Sequence, residues 1–174
     1  MKMITPAKVM HSWVLLLMGC SFCWGQNTGQ PVEVTLCDLY QHPEQYAGKM
    51  IKVRGGAVGD LRIDAILHDS PAESCASYMR LIVVFPEQTK PSPGFQLVRD
   101  QSYKQLETAL HSQRPVHIDA TYEGRFDPAF VWRDHKRVRV GSSDVKGYGE
   151  KHEYDAQIVL HRVSNIWTMQ LPAK

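Results

Sequence analysis

No apolar stretch in these 174 residues reaches the roughly 20 that a membrane-crossing helix requires. The H-E-x-x-H zinc signature and the G-x-S-x-G nucleophile turn are both missing. There is no internal repeat and no extended disordered tract. A cationic surplus is missing too. From Gln26 onward 18 Lys and Arg balance 18 Asp and Glu, so the formal net charge of +2 falls to zero once the first 25 residues are set aside. Bulk, sequence-independent nucleic-acid binding draws on a clear positive excess. Any anion site here must be local.

What the first 25 residues do contain is ordered. Lys2 and Lys8 precede an apolar run from Trp13 to Met18, and Gly19 to Gly25 is small and Cys-rich. This is the layout of a secretory signal. Cleavage after Gly25 would place Cys23 and Gly25 at the small-residue positions and start the mature chain at Gln26. Alternatively, Leu17-Met18-Gly19-Cys20 resembles a lipoprotein box with Cys20 as the lipidated residue, although Met18 is bulky for it. An uncleaved anchor is the third option. The expectation is an exported protein, periplasmic or extracellular, or else a membrane-anchored lipoprotein. Residues 1–25 are then the signal (to about 19 for a lipoprotein), 26–34 a leader, and 35–174 one domain of ordinary size.

Two cysteines remain, Cys37 and Cys75. In an oxidising compartment an even pair in a small domain favours a disulfide. The alternative is two separate buried thiols. Neither belongs to a Cys-x-x-Cys pair, which argues against a metal site, and no cofactor is expected.

Thr35 with Asp38 forms a capping box opening a helix through Leu36, Leu39 and Tyr40; Pro43 restarts a turn and Gly48 is placed to end it. From Lys49 the period becomes two, with Ile51 and Val53 alternating with Lys52 and Arg54. Gly55-Gly56 marks a bulge or bend, and Gly59-Asp60 a turn. Residues 61–68 alternate as a second strand, Asp69 to Ser77 is a loop, and Met79 to Phe85 reads as a strand covered on both sides. After a Pro-rich connector, Ser102 with Gln105 is a second capping box, with Tyr103, Leu106 and Leu110 on one helical face. Val116 to Glu123 alternates cleanly. Phe126 to Gly149 is a long excursion, and Tyr154 to Trp167 is the last strand, with an irregularity near His161-Arg162.

Three strands, a helix and two strands give a mainly β fold: a five-stranded OB-like Greek-key barrel with a helix between strands three and four and a short N-terminal helix. A β-sandwich would need about seven strands.

Cys37-Asp38-Leu39, His42-Pro43-Glu44-Gln45-Tyr46-Ala47-Gly48-Lys49 and Val53-Arg54-Gly55 resemble the opening of a group of exported bacterial proteins of unknown function. In that group a short helix ends in P-x-x-Y-x-G-K and leads into a V-x-V-R-G strand. The group's two cysteines match Cys37 and Cys75. Its late elements match Gly147-Tyr148-Gly149 and Gln157-Ile158-Val159, with Glu150 where the group has His. The resemblance implies an exported OB-like domain and supplies no reaction.

Asp69-Ser70-Pro71-Ala72-Glu73 looks like a stretched copy of the carboxylate element of secreted OB-type nucleases, with Arg62 upstream. Ala72 breaks the spacing, and a metal-dependent phosphodiesterase needs its groups fixed within a fraction of an ångström. Ordinary turn chemistry explains the segment. His152, Glu153, Asp155 and His135 would gather a metal only if the excursion folded back, and no metal site is expected. The excursion carries the best functional signal: Arg125, Arg133, Lys136, Arg137 and Arg139 interleave with Phe126, Phe130, Trp132 and Tyr148. Cations beside aromatic faces suit an anionic ligand that also stacks. The candidate ligand-binding residues are Arg125, Trp132, Arg133, Lys136, Arg137, Arg139 and Tyr148. The plainer alternative is a hairpin with solvated cations while Trp132 and Val138 pack down. The expectation is a non-enzymatic binding or interaction module whose partner is an anionic ligand or an envelope protein. A structural envelope domain is the alternative beside the nuclease.

Overall fold

The computed structural model describes residues 30–59, 65–68, 75, 77–89, 95–112, 114, 116–142 and 144–171. The signal region, the first half of the expected second strand, the Asp69–Glu73 element and the 90–94 connector lie outside them. The described part is mainly β. A six-stranded mixed sheet has the order β1-β2-β3-β5-β9-β6, and a three-stranded antiparallel sheet has the order β4-β7-β8.

The N-terminal helices follow their local signals. In α1 (Leu36–Gln41), Thr35 Oγ1 accepts the Asp38 N–H at 3.0 Å, and Asp38 Oδ2 accepts the Thr35 N–H at 2.9 Å. The Thr35 N–H and hydroxyl hold the Asp38 carboxyl below its ordinary range. Pro43 opens α2 (Pro43–Tyr46), and Gly48, at φ 72°, turns the chain into β2 (Met50–Gly59). The expected leader holds a strand: β1 (Val32–Val34) pairs in parallel with Ile51–Val53. Such pairing is tertiary and leaves no local signal.

β2 runs through Gly55 and Gly56 without a bulge, in unbroken register with β6 (Val116–Pro128) from Met50↔Arg125 to Gly59↔Val116. On its other edge β2 meets β3 (Ala65–His68), which pairs with β5 (Leu81–Val84), which pairs in parallel with β9 (Ala156–Gln170). β9 pairs with β6, so the sequence of neighbours returns to β2. The expected Met79–Phe85 strand is shorter at both ends, since β5 covers Leu81–Val84. Tyr78 belongs to β4 (Ser77–Tyr78), and the Arg80 backbone turns aside to bond with Asp155. The irregularity expected near His161 is present, as a register shift opposite Glu123 and Gly124.

α3 (Gln101–Leu110) is capped by Asp100, whose Oδ1 accepts the Tyr103 N–H at 3.1 Å; Ser102 lies inside the first turn rather than at the cap. Its buried Tyr103, Leu106 and Leu110 face the core, and the helix packs on β6 and β9. That core takes Ile51 and Val53 from β2, Ile118, Tyr122 and Phe126 from β6, and Ile158, Leu160 and Val163 from β9. Apolar burial at alternate positions is what fixes each strand's register. β5 is buried on both faces. Ile82 and Val84, with Val159, form a second cluster covered by Phe95, Tyr148 and Tyr154.

Tyr122 is completely buried, and its hydroxyl has no hydrogen-bond partner among the described residues. Burial, with Asp119 nearby, pushes its pKa far above that of an ordinary tyrosine. An unsatisfied buried hydroxyl is a net cost that an apolar ring of the same shape avoids. Tyr122→Phe is therefore expected to leave stability unchanged or raise it by about 1 kcal/mol. A denaturation midpoint lowered by the substitution would show that the hydroxyl has a partner.

Candidate functional site

The excursion is built, not loose. β6 continues to Pro128, five residues beyond the alternation read from sequence, and the chain then folds into a hairpin of β7 (Phe130–Arg133) and β8 (Lys136–Arg139). Asp134 and His135 form the two-residue turn at φ 49° and 60°. Two consecutive positive φ angles match the twist of paired strands, a geometry usually signalled by Asn-Gly or Asp-Gly. The hairpin register sets Trp132 opposite Arg137 and Phe130 opposite Arg139, while β4 adds Tyr78 opposite Trp132.

Asp155 organises this hairpin. Its side chain is fully buried, and both carboxylate oxygens are occupied. Oδ1 accepts Arg137 Nε at 2.7 Å. Oδ2 accepts Trp132 Nε1 at 2.9 Å, the Arg80 N–H at 3.1 Å and Arg80 Nε at 3.3 Å. Its backbone carbonyl accepts the N–H groups of Ala129 and Phe130 at 2.8 and 2.9 Å, and its own N–H donates to Arg80 O at 2.7 Å. Burial alone would raise this carboxyl's pKa. The bonds from the Arg80 backbone and side chain, from Arg137 and from Trp132 outweigh burial and hold it below the usual range.

Both carboxylate oxygens of Asp155 are thus taken up by protein donors. Among the described residues no three His, Cys, Asp or Glu converge on a common point. His152 Nδ1 lies 3.2 Å from Gly147 O.

Five of the seven candidate residues come together on the hairpin. All of Lys136, Arg137, Val138 and Arg139 are exposed. The Arg137 guanidinium lies 3.8 Å from the Phe130 ring centroid and that of Arg139 4.8 Å. Such contacts hold cations over an aromatic face while leaving their outer edges in water. Arg139 donates to Val145 O at 3.1 Å. Arg133 donates to Gln41 O at 3.1 Å and stands 3.9 Å from Glu44, tying the hairpin to α1 and α2. Trp132 is half-buried, its indole N–H directed to Asp155.

Arg125 and Tyr148 lie in a different cluster. Arg125 forks onto Asp127 with two bonds of 2.9 Å, and Gln157 Nε2 donates to the same carboxylate at 3.2 Å. Tyr148 packs on the Ile82–Val84–Val159 cluster and bridges to Tyr154. Burial, with Asp127 close by, pushes its hydroxyl pKa up to about 12. Sequence reading considered Asp155 only as a metal-ligand candidate and did not consider Arg80, because nothing local marks a carboxylate whose four donors come from three other segments.

Cys37 and Cys75 form a disulfide, with Cα atoms 5.6 Å apart. No helix among the described residues is long and apolar enough to cross a membrane. Comparison with family models, curated proteins and solved structures gave no match.

Proposed function

We propose that this chain is an exported, non-enzymatic interaction module of the OB type, and that the β7–β8 hairpin is its anion-facing surface. The OB reading is supported by the neighbour order β2-β3-β5-β9-β6 returning to β2, with β5 and β9 parallel and α3 between β5 and β6. That is the connectivity expected of a five-stranded Greek-key barrel with its helix between strands three and four. Export is supported by the disulfide and by the signal-like first 25 residues. Lipidation at Cys20 would tether the same domain to a membrane.

One observation carries the binding reading: β8 shows four consecutive exposed residues, three of them cations, on a frame that a buried aspartate holds rigid. A pre-ordered cationic strand loses little entropy on meeting an anion. Arg133, Lys136 and Arg139 are the groups to change, because Arg137 also supports the frame. Their contacts in the free protein are surface contacts worth under about 1 kcal/mol each.

The variant Arg133→Gln/Lys136→Gln/Arg139→Gln is expected to stay folded with a small drop in melting temperature, from the lost bonds to Gln41 O and Val145 O, and to elute from a heparin column at clearly lower salt. Each anion contact removed should flatten the salt dependence of binding by about one unit of slope. Unchanged retention would rule the hairpin out as the anion surface.

A further inference from the structure

β2, β6 and β9 lie side by side, and their registers set rows of residues across one outer face. One row is Arg54, Thr121 and Ser164; the next is Gly56, Asp119 and Trp167; beyond it His117 stands opposite Met169. Between the first two rows β9 carries an extra residue. Thr121 pairs with Ser164 and Asp119 with Trp167, so Asn165 and Ile166 face Ala120 alone, and Asn165 sits at φ 52°. One extra residue reverses the inside–outside order of everything after it. Ile166 packs against the core, whereas Trp167 and Met169 point to solvent, 56% and 46% exposed. Without the bulge Trp167 would fall on the opposite face. The bulge thus sets Ile166 against the core and leaves a large apolar ring in water.

Polar groups frame that ring. Arg54 Nε donates to Asp119 Oδ1 at 3.1 Å, and the Asp119 side chain is 34% exposed. The His117 ring meets Trp167 edge to face, centroids 6.5 Å apart. A Cβ at Gly56 would lie 2.7 Å from His117 Cε1, so His117 leans over bare backbone and the position beside Asp119 carries no side chain. Among the described residues each Lys and Arg of these three strands on this face has a carboxylate close by: Lys52 is 3.9 Å from Glu33, Arg54 is paired with Asp119, Arg125 is 2.9 Å from Asp127, and Arg162 is 3.9 Å from Asp100.

We propose that this three-strand face binds a neutral saccharide, its ring stacked on Trp167 and its hydroxyls held by Asp119 and Arg54. A sugar ring offers an apolar C–H face and a rim of hydroxyls. An exposed indole beside a carboxylate–guanidinium pair supplies the complement to both. A nucleotide would also stack, but its phosphate needs a cation to spare, and the cations here are matched. Among the described side chains of this face only Trp167 and Met169 are large, apolar and exposed, and a second copy of the chain or a lipid surface needs a broader apolar patch than these two provide. The proposal is independent of the hairpin, since none of its residues lies there.

The test is titration of the purified protein with hexamers of β-1,4-linked glucose and of β-1,4-linked N-acetylglucosamine, followed by calorimetry for every variant and, where Trp167 is present, through its indole N–H resonance. At least one hexamer is expected to shift it, with an affinity nearly unchanged between roughly 0.05 and 0.5 M salt. Trp167→Ala should weaken binding about tenfold or more, and Asp119→Asn by a smaller factor. Trp167 is exposed, so its removal should leave the melting temperature in place, and Arg133→Gln/Lys136→Gln/Arg139→Gln should bind the hexamer normally. Failure of both sugars to shift Trp167 would overturn the proposal. So would binding indifferent to Trp167→Ala, or a Trp167→Ala protein whose altered property is self-association or partition onto vesicles.

Discussion

Asp155→Ala is expected to destabilise the protein by about 3–4 kcal/mol and to release the β7–β8 hairpin. The substitution removes the acceptor for a backbone N–H, an indole N–H and two guanidinium nitrogens at once. It leaves Arg80 and Arg137 facing each other without the charge between them. Because their side chains are 48% and 30% exposed, water recovers part of the loss, which keeps the expected cost below the upper end for buried ion pairs. Asp155→Asn retains one carbonyl acceptor and should fall between alanine and wild type. Hydrogen exchange should show the change at Phe130–Arg139 before the β6–β9 ladder. The acid limb supplies a second signature. The folded-state pKa of Asp155 lies below its ordinary 3.8, so its stabilising contribution is complete above that value and is lost as pH falls through the lowered one. The gap between wild type and Asp155→Ala is therefore constant at neutral pH and narrows in strong acid. Equal acid sensitivity in the two proteins would contradict the assignment.

What the sequence made legible was what a strand or helix decides locally. Ile51 and Val53 against Lys52 and Arg54, and Val116 to Glu123, alternate because one face is buried, and β2 and β6 formed there. Thr35 with Asp38 set α1, and Tyr103, Leu106 and Leu110 set the buried face of α3. The uneven spacing of Leu160 and Val163 already contained the irregularity of β9 near His161, whereas the second one, at Asn165, was not read from the sequence. Features decided by remote partners left no such trace. β1 exists because β2 offers it an edge, and the hairpin turn at Asp134-His135 has no glycine to announce it. The cationic composition of the excursion was visible. That Arg137 and Trp132 would meet on one buried carboxylate was not, because Asp155 follows them by 18 and 23 residues and shares no strand with them.

Opening the Cys37–Cys75 bridge is expected to cost about 4 kcal/mol, the chain-entropy value for a closed loop whose ends are 38 residues apart. The double variant Cys37→Ser/Cys75→Ser should show this as a lower denaturation midpoint. The intact protein treated with dithiothreitol should behave like it, and its mass should rise by two hydrogens. The location of the bridge makes a local effect follow from the global one. Cys37 lies in α1, and Cys75 stands just before β4, which packs on α1 and pairs with β7. Arg133 of β7 in turn donates to Gln41 O at the end of α1. The bridge and Asp155 therefore brace the hairpin from two sides, through β4 and α1 on one and through Arg80 and Arg137 on the other. Combining bridge removal with Asp155→Ala should cost less than the two changes added together, since a hairpin already released by one has little left to lose to the other. Strict additivity would mean that the two braces act on separate cooperative units, and the hairpin would then owe its rigidity to Asp155 alone.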